Sequence, residues 1–378
     1  MILTDVGLGD FILVTGCIRE IRRLYPKACI TLAIHEKNFL VAEHCPYVDE
    51  IIVVPRVRVT GNVVEYYQWS VLSSEKILEQ RFDICYAFGF QSYIPLLMYM
   101  SGAKFRLTTP SSPVFIEEMS WKYFAHLATQ SLPQYKYGLH IIDSFFSLID
   151  NSLHIPVFNR DLEVWYTPAD VTLAKSILKN ASRPIYALMT GASQARRWYP
   201  PEKFAELIKM ILAEEPTATF INFGGGQIDI IRTQTLRKTL GEEIFSKNII
   251  DLVNKSNFRI DAAIMSFCDM YIGNNTGNMT LAMAVNCPLL MIECFAKDIE
   301  TGHLDLPKLF GSYRVASVSV QPKHALPECA VNKPYEFHGC RSPFSHCITQ
   351  IEPKTLFKGF HLLKEKIAKK INTNSFIC

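Results

Sequence analysis

Residues Met270–Val285 read MYIGNNTGNMTLAMAV. The pattern predicts a short buried strand over Cys268–Ile272, a tight polar turn over Gly273–Asn278 and a helix opening near Met279. Gly273 and Gly277 allow backbone conformations that other residues resist. Asn274, Asn275 and Thr276 are of the types that cap helices and leave the first amides pointing outward. A helix start with free amides carries partial positive charge and takes anions, phosphate above all. The same pattern suits an ordinary strand-to-helix turn in an α/β sheet, so its company along the chain has to decide.

On the N-terminal side of this stretch, Pro184–Met189 predicts a strand, followed by the loop TGASQARRWYPPEKF. Pro201 and Glu202 open the next helix, where proline fits the first turn. Arg196 and Arg197 therefore fall in a loop after a strand, aimed at the same sheet edge as the turn at Gly273–Asn278. Arginine presents a planar fork suited to phosphate oxygens, and a solvated pair on a loop is the plainer alternative. Ala218–Phe223 is a further strand, Gly224–Gly226 turns sharply, and Asp229 follows at a helix start, where it either binds a ribose diol or caps. Strands at Ile249–Leu252 and Leu289–Glu293 and a helix from Ile260 to Phe267 complete a Rossmann-like half.

The N-terminal half repeats the alternation. Strands are expected at Ile2–Thr4, Ile30–Ile34, Glu50–Val54 and Phe82–Ala87, with an amphipathic helix over Phe11–Leu24 and a helical stretch over Gly138–Asn151. GLGDFI is a poor dinucleotide fingerprint: Ile12 stands where the third glycine belongs, and no acidic residue closes a second strand. Asp10, past the first strand, is read as a general base, with helix capping as the alternative. Gly9, Lys104 and Arg106 are read as the acceptor side. Thr108–Tyr137, rich in Pro, Ser and aromatics, reads as a long excursion in which Trp121, Tyr123 and Phe124 either stack on a sugar or join the core. Asn159–Pro168 reads as the connection between domains.

Composition sets the bounds. At 378 residues the chain exceeds one comfortable core, and two domains are the default. A net charge of +3 is too small to argue for nucleic acid. Met1–Val14 contains Asp5 and Asp10 and lacks a basic leader, so a signal peptide is not expected, nor is a membrane-spanning helix. Cys17, Cys29, Cys85, Cys268 and Cys287 sit in apolar runs and read as free thiols in a reducing, cytoplasmic setting. Cys329, Cys340 and Cys347 lie among His324, His338 and His346 without C-x-x-C spacing, so no metal site is assigned. Leu356, Phe360, Leu363, Ile367 and Ile371 recur at helical spacing beside a lysine-rich face. That helix either packs back across the domains or touches an anionic bilayer.

Several segments together resemble glycosyltransferase family 9, the lipopolysaccharide heptosyltransferases. They are GLGDFILVTGCIREIRRLYPKACITLAI (7–34), PYVDEIIVVP (46–55), SGAKFRL (101–107), GASQARRWYPPEKFAEL (191–207), FGGG (223–226) and GNNTGNMTLAMAVNCPLLMI (273–292), in the family's order. The resemblance implies a GT-B fold, two Rossmann-like domains facing across a cleft. Residues 1–165 would bind the acceptor, 166–353 the nucleotide sugar, and 354–378 would form a C-terminal helix and tail. It implies an inverting, metal-independent transferase with no cofactor, moving heptose from ADP-heptose to a lipopolysaccharide core or related glycolipid at the cytoplasmic face of the inner membrane. Asp10 matches the family's base, Arg196 the basic residue at the donor diphosphate, and Thr276 and Gly277 the phosphate turn. Arg197, Asp229, Asn275 and Asn278 join them on the donor side. The family's D-T-G reads Asn275-Thr276-Gly277 here, and Thr280 replaces a frequent histidine. A sugar-nucleotide epimerase and an inactive sugar-binding homologue are the rival readings.

Overall fold

The computed structural model describes residues 1–4, 6–54, 75–89, 94–108, 125–131, 139–153, 155–297, 306–326, 345–371 and 373–377. It divides into two compact units, Met1–Trp165 and Tyr166–Cys378.

In the first unit, strands β1 (Ile2–Thr4), β2 (Thr31–His35), β3 (Glu50–Val54), β4 (Ile84–Ala87), β5 (Phe105–Thr108) and β6 (Gln130–Ser131) form one parallel sheet. Its order is β3-β2-β1-β4-β5-β6. Helix Phe11–Leu24 is interrupted: the chain forms Leu8–Ile12, then Thr15–Leu24. Thr15 Oγ1 donates back to the Ile12 carbonyl at 2.8 Å, so a local side-chain bond serves the break. Residues after the helix Ile141–Leu153 are drawn onto this unit. Buried Glu20 accepts from the amides of Phe158 and Asn159 at 3.0 and 3.3 Å, and Arg19 donates to the carbonyls of Asn159 and Asp161 at 2.9 and 3.0 Å.

In the second unit, β7 (Ile185–Met189), β8 (Thr219–Phe223), β9 (Ile249–Asp251), β10 (Met270–Asn274), β11 (Leu289–Ile292), β12 (Ser317–Val320) and β13 (Asn374–Ile377) form a parallel sheet ordered β13-β12-β11-β10-β7-β8-β9. β7, β8, β10 and β11 are buried at every residue, as strands covered on both faces must be. Gly273 lies in β10, and neither it nor Gly277 has positive φ. Gly273 is needed for space instead: a Cβ there would lie 2.7 Å from the Met189 carbonyl oxygen of β7. The predicted C-terminal helix forms over Pro353–Ala368 and packs on β11, β12 and the helix Pro201–Glu214. The tail beyond it is not merely a tail, because β13 extends the sheet alongside β12. Lys366 fixes this return, its ammonium donating to the carbonyls of Ser317 and Thr373 at 3.0 and 2.8 Å.

Phe360, fully buried, places its ring edge-on to Tyr186, 5.5 Å between centroids, and joins the helix to the main core of this unit. Phe360→Ala should lower the stability of the second unit by ~3–5 kcal/mol, because the neighbouring strands cannot close over the lost ring. Urea unfolding reads this out; a loss below about 1 kcal/mol would mean the helix is not part of the core.

Candidate functional site

In a parallel sheet all strands end at one edge, and loops diverge where the order of strands reverses. In the second unit this happens between β7 and β10: the chain runs from β7 outward to β8 and β9, then returns to β10 on the other side. The loops after β7 and β10 therefore flank one point of the carboxyl edge.

Buried side chains hold the loop after β7 in place. Asn274 Nδ2 donates to the carbonyls of Thr190 and Gly191 at 2.9 and 3.2 Å. Arg232 Nε donates to Thr190 O at 2.9 Å, and its Nη2 donates to the Tyr199 carbonyl. Burial lowers the Arg232 pKa to about 10, which leaves it charged at neutral pH, and neighbouring Asp229 opposes the shift. Trp198 Nε1 donates to Ala192 O at 2.7 Å.

The two arginines of this loop are not a solvated pair. Arg196 is only 6% exposed; its guanidinium stacks on Phe295, 5.2 Å from the ring centroid, and its Nε donates to Gln194 Oε1 at 2.9 Å. Arg197 Nη1 donates to the Asn275 carbonyl at 2.9 Å and so joins the β7 loop to the β10 turn.

The helix after β10 spans Gly277–Ala284, beginning two residues before the position expected from the sequence. Thr276 occupies the cap position in extended backbone, with no side-chain capping bond. The other two expected caps are committed elsewhere: Asn274 to the β7 loop, and Asn275 to Glu293, whose two oxygens each accept from Asn275 Nδ2 at 3.2 Å. Thr276 and Gly277 are partly exposed and Asn278 is buried. The arrangement leaves a helix start that can receive an anion beside a positively charged loop.

Asp229 lies in the first turn of the helix Gln227–Leu240 at the same edge. Its Oδ2 accepts from the Gly225 amide at 2.8 Å. Burial raises its pKa, while the Gly225 amide and Arg232 pull the other way. A Cβ at Gly191 would lie 1.8 Å from Asp229 Oδ1, so any side chain there would displace the Asp229 carboxylate. Asp229 therefore joins the loops after β7 and β8.

In the first unit, Asp10 is exposed in the first turn of Leu8–Ile12, at the carboxyl side of β1 next to the β1/β4 reversal, with Gly9 beside it. A Cβ at Gly7 would stand 3.5 Å from Asp10 Oδ2. Lys104 and Arg106 are not brought to this point. Lys104 precedes β5 and pairs with Asp83, which precedes β4, at 3.9 Å. Arg106 donates to the carbonyls of Leu127 and Ala103 at 2.7 and 2.6 Å and leans toward the amino end of its strand. Both cations therefore lie toward the amino edge of this sheet, away from Asp10.

Sequence reading assigned no role to Glu293, Arg232 or Phe295. Asn274 pairs with Ile292, so the next residues, Asn275 and Glu293, lie side by side, a register that the folded sheet supplies. Arg232 and Phe295 carry no sequence signal either. Among the described residues no group of three or more His, Cys, Asp or Glu could hold a metal. Cys329, Cys340 and His338, the aromatics Trp121, Tyr123 and Phe124, and most of the excursion from Thr108 to Tyr137 lie outside the described residues. Among those described, no helix is long and apolar enough to cross a membrane.

Comparison with known proteins agrees with this architecture. A family 9 glycosyltransferase from Veillonella parvula superposes with a TM-score of 0.74 at 18% identity, covering 97% of this chain and 96% of that one. Escherichia coli ADP-heptose lipopolysaccharide heptosyltransferase II gives 0.65 at 16% identity, with 97% and 98% covered. The E. coli heptosyltransferase WaaC with ADP gives 0.66 at 12% identity, with 96% and 98% covered. At these identities the likeness establishes the fold, which is GT-B. Residues 76–299, more than half of the chain, match glycosyltransferase family 9 (heptosyltransferase). The chain is a member of that family.

Proposed function

We propose that this glycosyltransferase moves heptose from ADP-heptose to a lipopolysaccharide core or related glycan acceptor, with inversion and without a metal. The observation that carries the reading is the helix start at Thr276–Asn278, uncapped by Thr276, with Arg197 bonded to its turn and Arg196 held in the adjoining loop. Work would take place at the cytoplasmic face of the inner membrane, with peripheral contact at most and no nucleic-acid partner.

The chemistry divides between two kinds of group. The acceptor hydroxyl gives its proton to the Asp10 carboxylate as its oxygen bonds to the anomeric carbon. The bond from that carbon to the nucleotide breaks, and its electron pair leaves with the diphosphate. Arg196 and the amides of Gly277 and Asn278 stabilise the charge that develops there. Preorganised positive groups of this kind do the electrostatic work without a metal ion. Arg197 keeps the turn in register with the arginine loop, and Asp229 shapes the loops near the donor ribose.

Asp10→Asn should reduce turnover by ~10²–10⁴-fold while ADP affinity is unchanged. Steady-state transfer assays and calorimetry separate these effects; near-normal turnover would remove Asp10 from the base role. Arg196→Ala should weaken ADP binding about tenfold or more, the worth of a charge-assisted hydrogen bond. Unchanged affinity would place the diphosphate elsewhere. Transfer should also survive EDTA; loss restored by added divalent cations would contradict metal-independent departure.

A further inference from the structure

β10 and β11 run parallel with Asn274 opposite Ile292, and the Asn275 amide continues the ladder to the Ile292 carbonyl at 3.3 Å. One step past both strand ends, Asn275 Nδ2 lies 3.2 Å from each oxygen of Glu293. Glu293 is 2% exposed, whereas Asn275 is partly exposed at the turn that precedes the helix. An ionised carboxylate only accepts hydrogen bonds, so the carboxamide must turn its NH₂ toward Glu293. Its carbonyl oxygen, Oδ1, then points away from Glu293. The main-chain carbonyl of the same residue is engaged by Arg197. A carboxylate at position 275 would stand against Glu293, and two like charges so close cannot both stay ionised. Asparagine thus offers an acceptor here without setting a second carboxylate against Glu293.

We propose that Glu293 is a positioning residue that fixes the Asn275 carboxamide so that Oδ1 accepts a hydrogen bond from a hydroxyl of the donor's sugar. This rests on the nucleotide-sugar reading above. It concerns recognition of the sugar and not of the nucleoside diphosphate. Glu293→Gln removes the fixed acceptor-only partner, lets the carboxamide rotate, and presents either polarity to the ligand. Asn275→Asp in the Glu293→Gln background rebuilds an acceptor at position 275, with the glutamine NH₂ as donor behind it.

Calorimetry with ADP-heptose and with ADP, on the intact chain, tests the proposal. Glu293→Gln should bind ADP-heptose about tenfold more weakly and ADP as the unaltered protein does, and the double variant should recover ADP-heptose binding. Thermal unfolding supplies a second readout. Asn275→Asp alone sets two carboxylates together and raises a carboxyl pKa in the folded state. Its stability, relative to the unaltered protein, should therefore be higher near pH 5 and fall as pH rises toward 8. Equal weakening of both ligands by Glu293→Gln, no weakening of either, failure of the double variant to recover, or a pH-independent melt for Asn275→Asp would each overturn the proposal while leaving the donor reading intact. An unaltered protein that binds neither ADP nor ADP-heptose would remove the donor reading and this inference with it.

Discussion

Parallel strand pairing is the constraint on which the site depends. Every strand of the second sheet runs the same way, so every strand-to-helix loop leaves from one edge. The reversal of order between β7 and β10 parts two of those loops. What fills that place is set by local chemistry: a glycine-walled strand end, a helix start and two arginines. No long-range design is needed to gather them, because strand direction does so.

Holding the loops still is a separate problem, solved with buried polar side chains. Asn274 and Arg232 both bond the carbonyl of Thr190, and Arg232 also reaches Tyr199, the far end of the same loop. A buried guanidinium is costly unless its donors are satisfied, so these carbonyls and Asp229 are as necessary to Arg232 as it is to them. Arg196 is restrained differently, by a ring face and a neighbouring amide. Positive charge fixed before a ligand arrives needs little reorganisation during reaction.

Much of the fold was legible because buried parallel strands are short apolar runs bounded by turns. Glu50–Val54 matches its expected span, and β7, β8 and β11 differ by a residue at an end. β12 was not read because its SVSV alternates serine with valine, although all four residues are buried within a covered sheet. β13 was not read because four residues after a lysine-rich helix look like a frayed end; its pairing with β12 is supplied by tertiary structure. The break at Leu13–Val14 was hidden in an unbroken apolar run, where no period marks the change. At the site, position relative to strand ends located Asp10 and the turn after β10. It could not show that Asn274 and Asn275 bond sideways instead of capping, nor that Lys104 and Arg106 reach back to the amino edge. Those outcomes depend on neighbours that only folding brings near.

We propose above all that an electropositive diphosphate cradle stands at the carboxyl edge of the second sheet. A crystal structure of the chain with ADP tests it most directly. The diphosphate is expected at the start of the helix Gly277–Ala284, within hydrogen-bond reach of the Gly277 and Asn278 amides and beside Arg196. A nucleotide bound at the amino edge of that sheet, or in the first unit with no contact to this turn, would contradict it.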